Sequence, residues 1–205
     1  MREPDHFNKL QLFVRDALPC EWLTLADELR EAAETLWKHV DEALRVEATT
    51  TPKEVSKVTR IAGVSRPYIL LAGFALENLV KGLLVAADPS LITSGKLDQR
   101  LKSHRLVDLA RSLRQFALST EEAEFCEMAE GAIPYWGRYP VPLSLEGRLP
   151  EVALTPERRD TYLSLHNRLG QRLYDQIRDG WDSGVGPTSV CMRTRRYERD
   201  EPGTE

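Results

Sequence analysis

Arg159 and His166 are the residues whose types and spacing come nearest to a reaction centre, and Asp160 directly follows the arginine. Seven residues is almost two α-helical turns, so on a helix both side chains leave on nearly the same azimuth, about 10 Å apart along the axis. A guanidinium can hold the negative charge that builds on a phosphodiester while an imidazole moves a proton. If Tyr162, Leu165, Leu169, Leu173 and Ile177 form the buried stripe, His166 lies about 40° and Arg159 about 60° from its centre. Both are thus expected at the margin of the apolar face, desolvated yet reachable. Arg158 and Arg159 also oppose the positive end of the helix dipole, at a cost of about a few tenths of a kcal/mol that an anion at the helix start would recover.

The elements that must position this pair read as an all-α chain, an up-and-down helical bundle of four to five main helices. From Trp22 to Val46 the apolar residues follow a three-four repeat, which predicts a long amphipathic helix after a shorter one from His6 to Leu18. Thr51-Pro52-Lys53-Glu54 has capping-box spacing and predicts a further short helix. Pro67 opens a second long helix, apolar almost all round and therefore central, that runs to about Asp88-Pro89. A connector over Leu91 to Ser103 leads to a third helix over His104 to Ala117. Ser119-Thr120-Glu121-Glu122 caps an acidic fourth helix that ends near Gly131. After an irregular stretch from Pro134 to Leu154, Thr155-Pro156 caps the last helix, which runs to about Gly180. No alternating β-branched run predicts a sheet. Residues 1–19 read as an N-terminal helical extension, 20–180 as the bundle and 181–205 as a disordered tail.

With 41% hydrophobic and 29% charged residues the chain has a soluble, globular balance, and its formal net charge of −4 excludes coating of nucleic acid by bulk electrostatics. A nucleic-acid contact needs a local patch. The window from Lys96 to Arg114 offers one, with Arg100, Lys102 and Arg105 as phosphate-binding candidates; the alternative is a solvated face paired with the acidic fourth helix. Trp136 and Tyr139 could stack on bases while Arg138 meets a phosphate, or the same aromatics could form a stiff lid over the bundle. His104 is expected at the start of the third helix beside Ser103. Glu77 and Lys81, four apart on the central helix, suit a buried network that holds Arg138 or Arg159. They also argue against reading Tyr68 to Ala87 as a membrane span, so no membrane partner is expected. Cys20, Cys126 and Cys191 have neither disulfide nor metal-ligand spacing and fit a reducing, cytoplasmic setting; no metal or cofactor is expected.

Phe74-Ala75-Leu76-Glu77-Asn78-Leu79-Val80-Lys81-Gly82-Leu83-Leu84, followed by Ser103-His104-Arg105-Leu106-Val107-Asp108-Leu109-Ala110, resembles the second and third helices of HEPN domains (higher eukaryote and prokaryote nucleotide-binding). Arg159 to His166, with six intervening residues and Asp160 after the arginine, is similar to the motif on the last helix of that family's ribonucleases. The resemblance covers roughly residues 22–180. It implies a metal-independent endoribonuclease at the interface of a homodimer, as in bacterial toxin-antitoxin or anti-phage systems. His166 would then be general base or acid, Arg159 the stabiliser of phosphorane charge, and Asp160 an orienting group. The alternative it implies is a non-catalytic HEPN module that binds a nucleotide or a partner protein. RNA, an antitoxin or a nucleotidyltransferase are the partners expected on these readings. The long insertion before the last helix and the acidic tail depart from the family pattern.

Overall fold

A computed structural model describes residues 4–40, 44–51, 54–62, 64–133, 154–185, 189–190, 192, 194 and 196–198. Among them lie the helices α1 (Pro4–Asp16), α2 (Pro19–Lys38), α3 (Ser65–Ala87), α4 (Leu106–Arg111), α5 (Thr120–Ala132) and α6 (Pro156–Ile177), an all-α bundle. The centre is α3, which packs against α2, α4, α5 and α6. Its apolar residues point all round the axis, so Tyr68, Ile69, Ala72, Leu76, Leu79, Val80 and Leu83 are all buried. Each large side chain so buried contributes on the order of 1.5–3 kcal/mol relative to exposure. By length and a mean hydropathy of 1.8 this helix could cross a bilayer, yet 67% of its apolar window is buried by the rest of the chain.

The caps form as their chemistry dictates. Ser119 and Glu122 close a reciprocal capping box on α5, and the Thr155 hydroxyl accepts from the Arg158 amide with Pro156 in the first turn of α6. Tyr162, Leu165, Leu169, Leu173 and Ile177 are all buried, as the stripe requires.

Three expectations are corrected. The second helix stops at Lys38, and its continuation is not helical: β1 (Leu44–Thr51) pairs antiparallel with β2 (Glu54–Ala62), from Leu44 opposite Ala62 to Thr51 opposite Glu54. Val46, Thr49, Thr50, Thr51, Val55, Val58, Thr59 and Ile61 are β-branched and favour strands, and this outweighs the capping spacing at Thr51. The helix expected from His104 to Ala117 is only the six residues of α4, preceded by 3-10 turns at Pro89–Leu91 and Gln99–Lys102. After Arg111 the Ser112 hydroxyl turns back on the Leu109 carbonyl and Gln115 takes a positive φ of 53°. The carbonyls so released go to α6, where Arg172 bonds those of Arg114 and Gln115 and Arg168 bonds that of Ala117. Third, part of the tail is ordered. Trp181 is buried and donates through Nε1 to the Ala86 carbonyl at 3.0 Å, in a short ladder of β3 (Trp181–Asp182) with β4 (Ser189–Val190). Tyr197 is also buried.

Where α3 meets α2 and α6, Gly82 permits the approach: a Cβ there would lie 2.7 Å from Leu173 Cδ2 and 3.0 Å from Trp22 Cβ. Gly82→Ala should therefore destabilise the fold by about 1–3 kcal/mol through overpacking, read as a lowered thermal midpoint. An unchanged midpoint would mean that the three helices are not closely packed there.

Candidate functional site

Two clusters gather the chemistry-bearing side chains, and the first is the seam between α2 and α6. Glu34 on α2 takes both Nε (3.1 Å) and Nη2 of Arg159, and also accepts from the Tyr68 hydroxyl at 3.0 Å. The Arg159 guanidinium lies over the Trp37 ring, 5.2 Å from its centroid, and Asp160 sits 3.7 Å from it on the solvent side. Seven residues further along α6, His166 Nε2–H donates to the Ala26 carbonyl at 3.4 Å and lies 3.8 Å from Asp27. Asp27 and Glu34 are themselves seven apart, so the two helices run antiparallel with their polar residues in register. The arginine and the histidine are on one stripe, but that stripe faces α2.

His166 is 0% exposed, which corrects its expected place at an accessible margin. Adding a second copy of the chain removes surface and cannot uncover it. Burial, reinforced by the charges of Arg30 and Arg196 and opposed by the bond to Ala26, pushes the imidazole down from 6.5 to about 3. It is neutral at pH 7, with Nε2 carrying the proton and Nδ1 without a protein partner. Tyr162 is similarly buried, its ring 5.8 Å from that of His166, and its hydroxyl and Arg30 Nε also lack partners. Burial raises the Asp27 carboxyl, against the Tyr197 hydrogen bond and the Arg196 charge.

The second cluster was not assembled from the sequence. Glu77 and Lys81 of α3 are 6% and 5% exposed and form an ion pair with one another. The third member is His104, whose Nδ1 lies 3.1 and 3.0 Å from the two carboxylate oxygens. Arg159 is not that partner, being spent on Glu34; Trp136, Arg138 and Tyr139 lie outside the described residues. The His104 side chain is 58% exposed, so a buried carboxylate holds Nδ1–H of a ring that is otherwise largely open to solvent. The signal was present as a Glu-x-x-x-Lys inside an apolar helix and a histidine in a basic window. Nothing in one-dimensional spacing joins residues 27 apart.

Around His104 stand Arg100, Lys102 and Arg105, all exposed. Arg100 is bonded to Asp98 and Asp88, and Arg105 to Asp108. Of the acidic α5, Glu122 holds Arg168, while Glu130 accepts from the Val107 amide and feels the charge of Arg105. Neither described cysteine is an activated nucleophile, since burial pushes Cys20 up to about 11 and Cys126 to about 12. Among the described residues no group of three or more His, Cys, Asp or Glu could hold a metal ion.

Compared with known proteins, the chain matches no family, no curated protein and no solved structure.

Because the folded pKa of His166 is depressed, its contribution to stability is present above pH 6.5 and is lost as the pH falls toward about 3. The His166 share of the unfolding free energy should fall on the order of 1.4 kcal/mol per pH unit within that window. In His166→Phe the same acid limb should be flatter. Parallel limbs in the two proteins would show that His166 is not buried neutral.

Proposed function

We propose that the chain is a helical binding module of HEPN type, taking a phosphate-bearing ligand, a nucleotide or RNA, on the edge formed by His104, Lys102 and Arg105. The observation that carries this reading is the Glu77–Lys81–His104 arrangement. A buried ion pair contributes little net stability, because desolvation offsets most of its attraction. What this one supplies is a fixed orientation for an exposed imidazole. With Nδ1–H bonded to Glu77, a neutral ring accepts through Nε2 from a ribose hydroxyl or base, and a protonated ring donates to a phosphate oxygen. Lys102 adds a mobile point charge. The Arg105–Asp108 pair is exposed at both ends, worth under about 1 kcal/mol, and yields readily to a phosphate.

Binding ranks above cleavage because the groups that a ribonuclease would use are engaged within the chain. Arg159 is neutralised by Glu34, and the only unpaired nitrogen of His166 is buried.

The test is titration of a labelled nucleotide and a short RNA at two salt concentrations. Binding should weaken about tenfold in His104→Ala, and Lys102→Ala and Arg105→Ala should each lower the salt slope by about one. RNA incubated with the protein in EDTA should stay intact. Absence of binding at low salt would reject the module. Cleavage that disappears in both Arg159→Ala and His166→Ala would reinstate the endoribonuclease.

A further inference from the structure

The groove above the α2–α6 seam is filled by the chain's own C-terminal region. Tyr197 is 3% exposed; its ring lies 5.8 Å from that of Tyr174, and its hydroxyl donates to Asp27 Oδ1 at 2.7 Å. Gly170 provides the shelf, since a Cβ there would overlap the Tyr197 hydroxyl and ring. Gln171 Nε2 donates to the Tyr197 carbonyl at 3.1 Å. Arg196 reaches Glu31 and stands 3.6 Å from Asp27. The groove thus reads two side chains: an aromatic anchor against a glycine and a tyrosine of α6, and a cation against two carboxylates of α2. An anchor in a pocket flanked by a charge match is how folded domains recognise short segments.

Three features make this segment separable from the bundle. Gly180 and Gly184, both at positive φ with open space around them, lie between α6 and the segment. Arg196 and Glu198 on either side of the anchor are exposed. Beneath it, Tyr162 OH and His166 Nδ1 have no protein partner, so water entering on release would satisfy groups that the closed form leaves unpaired.

We propose that Arg196–Tyr197 is a releasable internal ligand: the α2–α6 groove binds an Arg–Tyr segment, in cis or supplied in trans, and its occupancy decides whether water reaches His166. The groups that face His166 are Asp27 and Arg30 from α2, Tyr162 from α6, and Arg196 from the segment itself, while Tyr197 holds the same Asp27 from the segment's side. The site is separate from the His104 edge and does not depend on a ligand there.

The experiment uses the full chain carrying Arg196→Ala with Tyr197→Ala, its fold checked by circular dichroism, and a fluorescent peptide of residues 192–199. The variant should bind the peptide at least tenfold more tightly than wild type does, because the wild-type groove is already filled. Adding Gly170→Ala should abolish that binding. Imidazole NMR should show His166 titrating close to an ordinary histidine in the variant and returning to its dry form with peptide. Nucleotide or RNA binding at His104 should be unchanged, which keeps the two readings apart. A folded variant that ignores the peptide, or whose His166 stays dry, overturns the proposal. Should the variant fail to fold, hydrogen exchange on wild type decides: the Tyr197 and Glu198 amides should exchange at least tenfold faster than that of Leu79. Equal protection would make the segment a fixed part of the core and overturn the proposal equally.

Discussion

The carboxylate of Glu34 ties three helices together at one point. It belongs to α2, accepts from Tyr68 of α3 and receives the guanidinium of Arg159 of α6. Arg159 stands near the start of α6, where the helix dipole disfavours a cation. Glu34 and the face of Trp37 compensate, and Glu34 keeps the guanidinium firmly charged. The same node begins an aromatic chain through the bundle, from Trp37 to Tyr68 to Tyr162, which stacks on Phe125 and meets His166 edge-on. Removing either charge would strand the other in a partly dry place, the costly way to break an ion pair. This contact adds to the apolar packing of Tyr162, Leu165, Leu169 and Leu173 in holding α6 against its neighbours.

Contacts of this kind explain what was legible in the sequence. The three-four repeats located α2 and α6, the caps located the starts of α5 and α6, and the all-round apolar run after Pro67 located α3 and placed it at the centre. Periodicity also put Arg159 and His166 on one stripe. It could not say what lies opposite, because Asp27 and Glu34 read as ordinary polar residues of an amphipathic helix until α2 is laid antiparallel against α6. The Tyr197 hydroxyl that meets Asp27 from far along the chain left no periodic trace at all. The same reason hid the end of α4: what stops it is the arginines of α6, which claim the carbonyls of Arg114, Gln115 and Ala117. The hairpin of β1 and β2 was concealed differently, by a threonine-proline cap signal inside a β-branched stretch.

Two histidines beside carboxylates end in opposite states. His166 has a carbonyl at 3.4 Å and Asp27 at 3.8 Å, but no route to water, so desolvation dominates and the ring is neutral. His104 has a buried carboxylate within hydrogen-bond reach and an exposed ring, so its bonded nitrogen is fixed and its free nitrogen is available. Pairing with an acid is therefore no guide to role by itself. What separates the two is which partner is buried: in the first the imidazole, in the second the carboxylate. Only the second arrangement presents an oriented group to something outside the chain.

On the binding reading proposed above, the charge distribution narrows what the ligand can be. The cations beside His104 are matched locally, Arg100 by Asp88 and Asp98 and Arg105 by Asp108, on a chain whose net charge is −4. Such an edge casts little field beyond a Debye length, about 8 Å at physiological salt, so it does not gather polyanions from a distance. A ligand must instead displace aspartates at short range and meet the oriented imidazole. Those demands favour a compact phosphate group, or a single phosphate of an RNA strand, over an extended polyanion. A long backbone track draws its affinity from the release of many counterions, and two of the three cations here, Arg100 and Arg105, are already paired with aspartates.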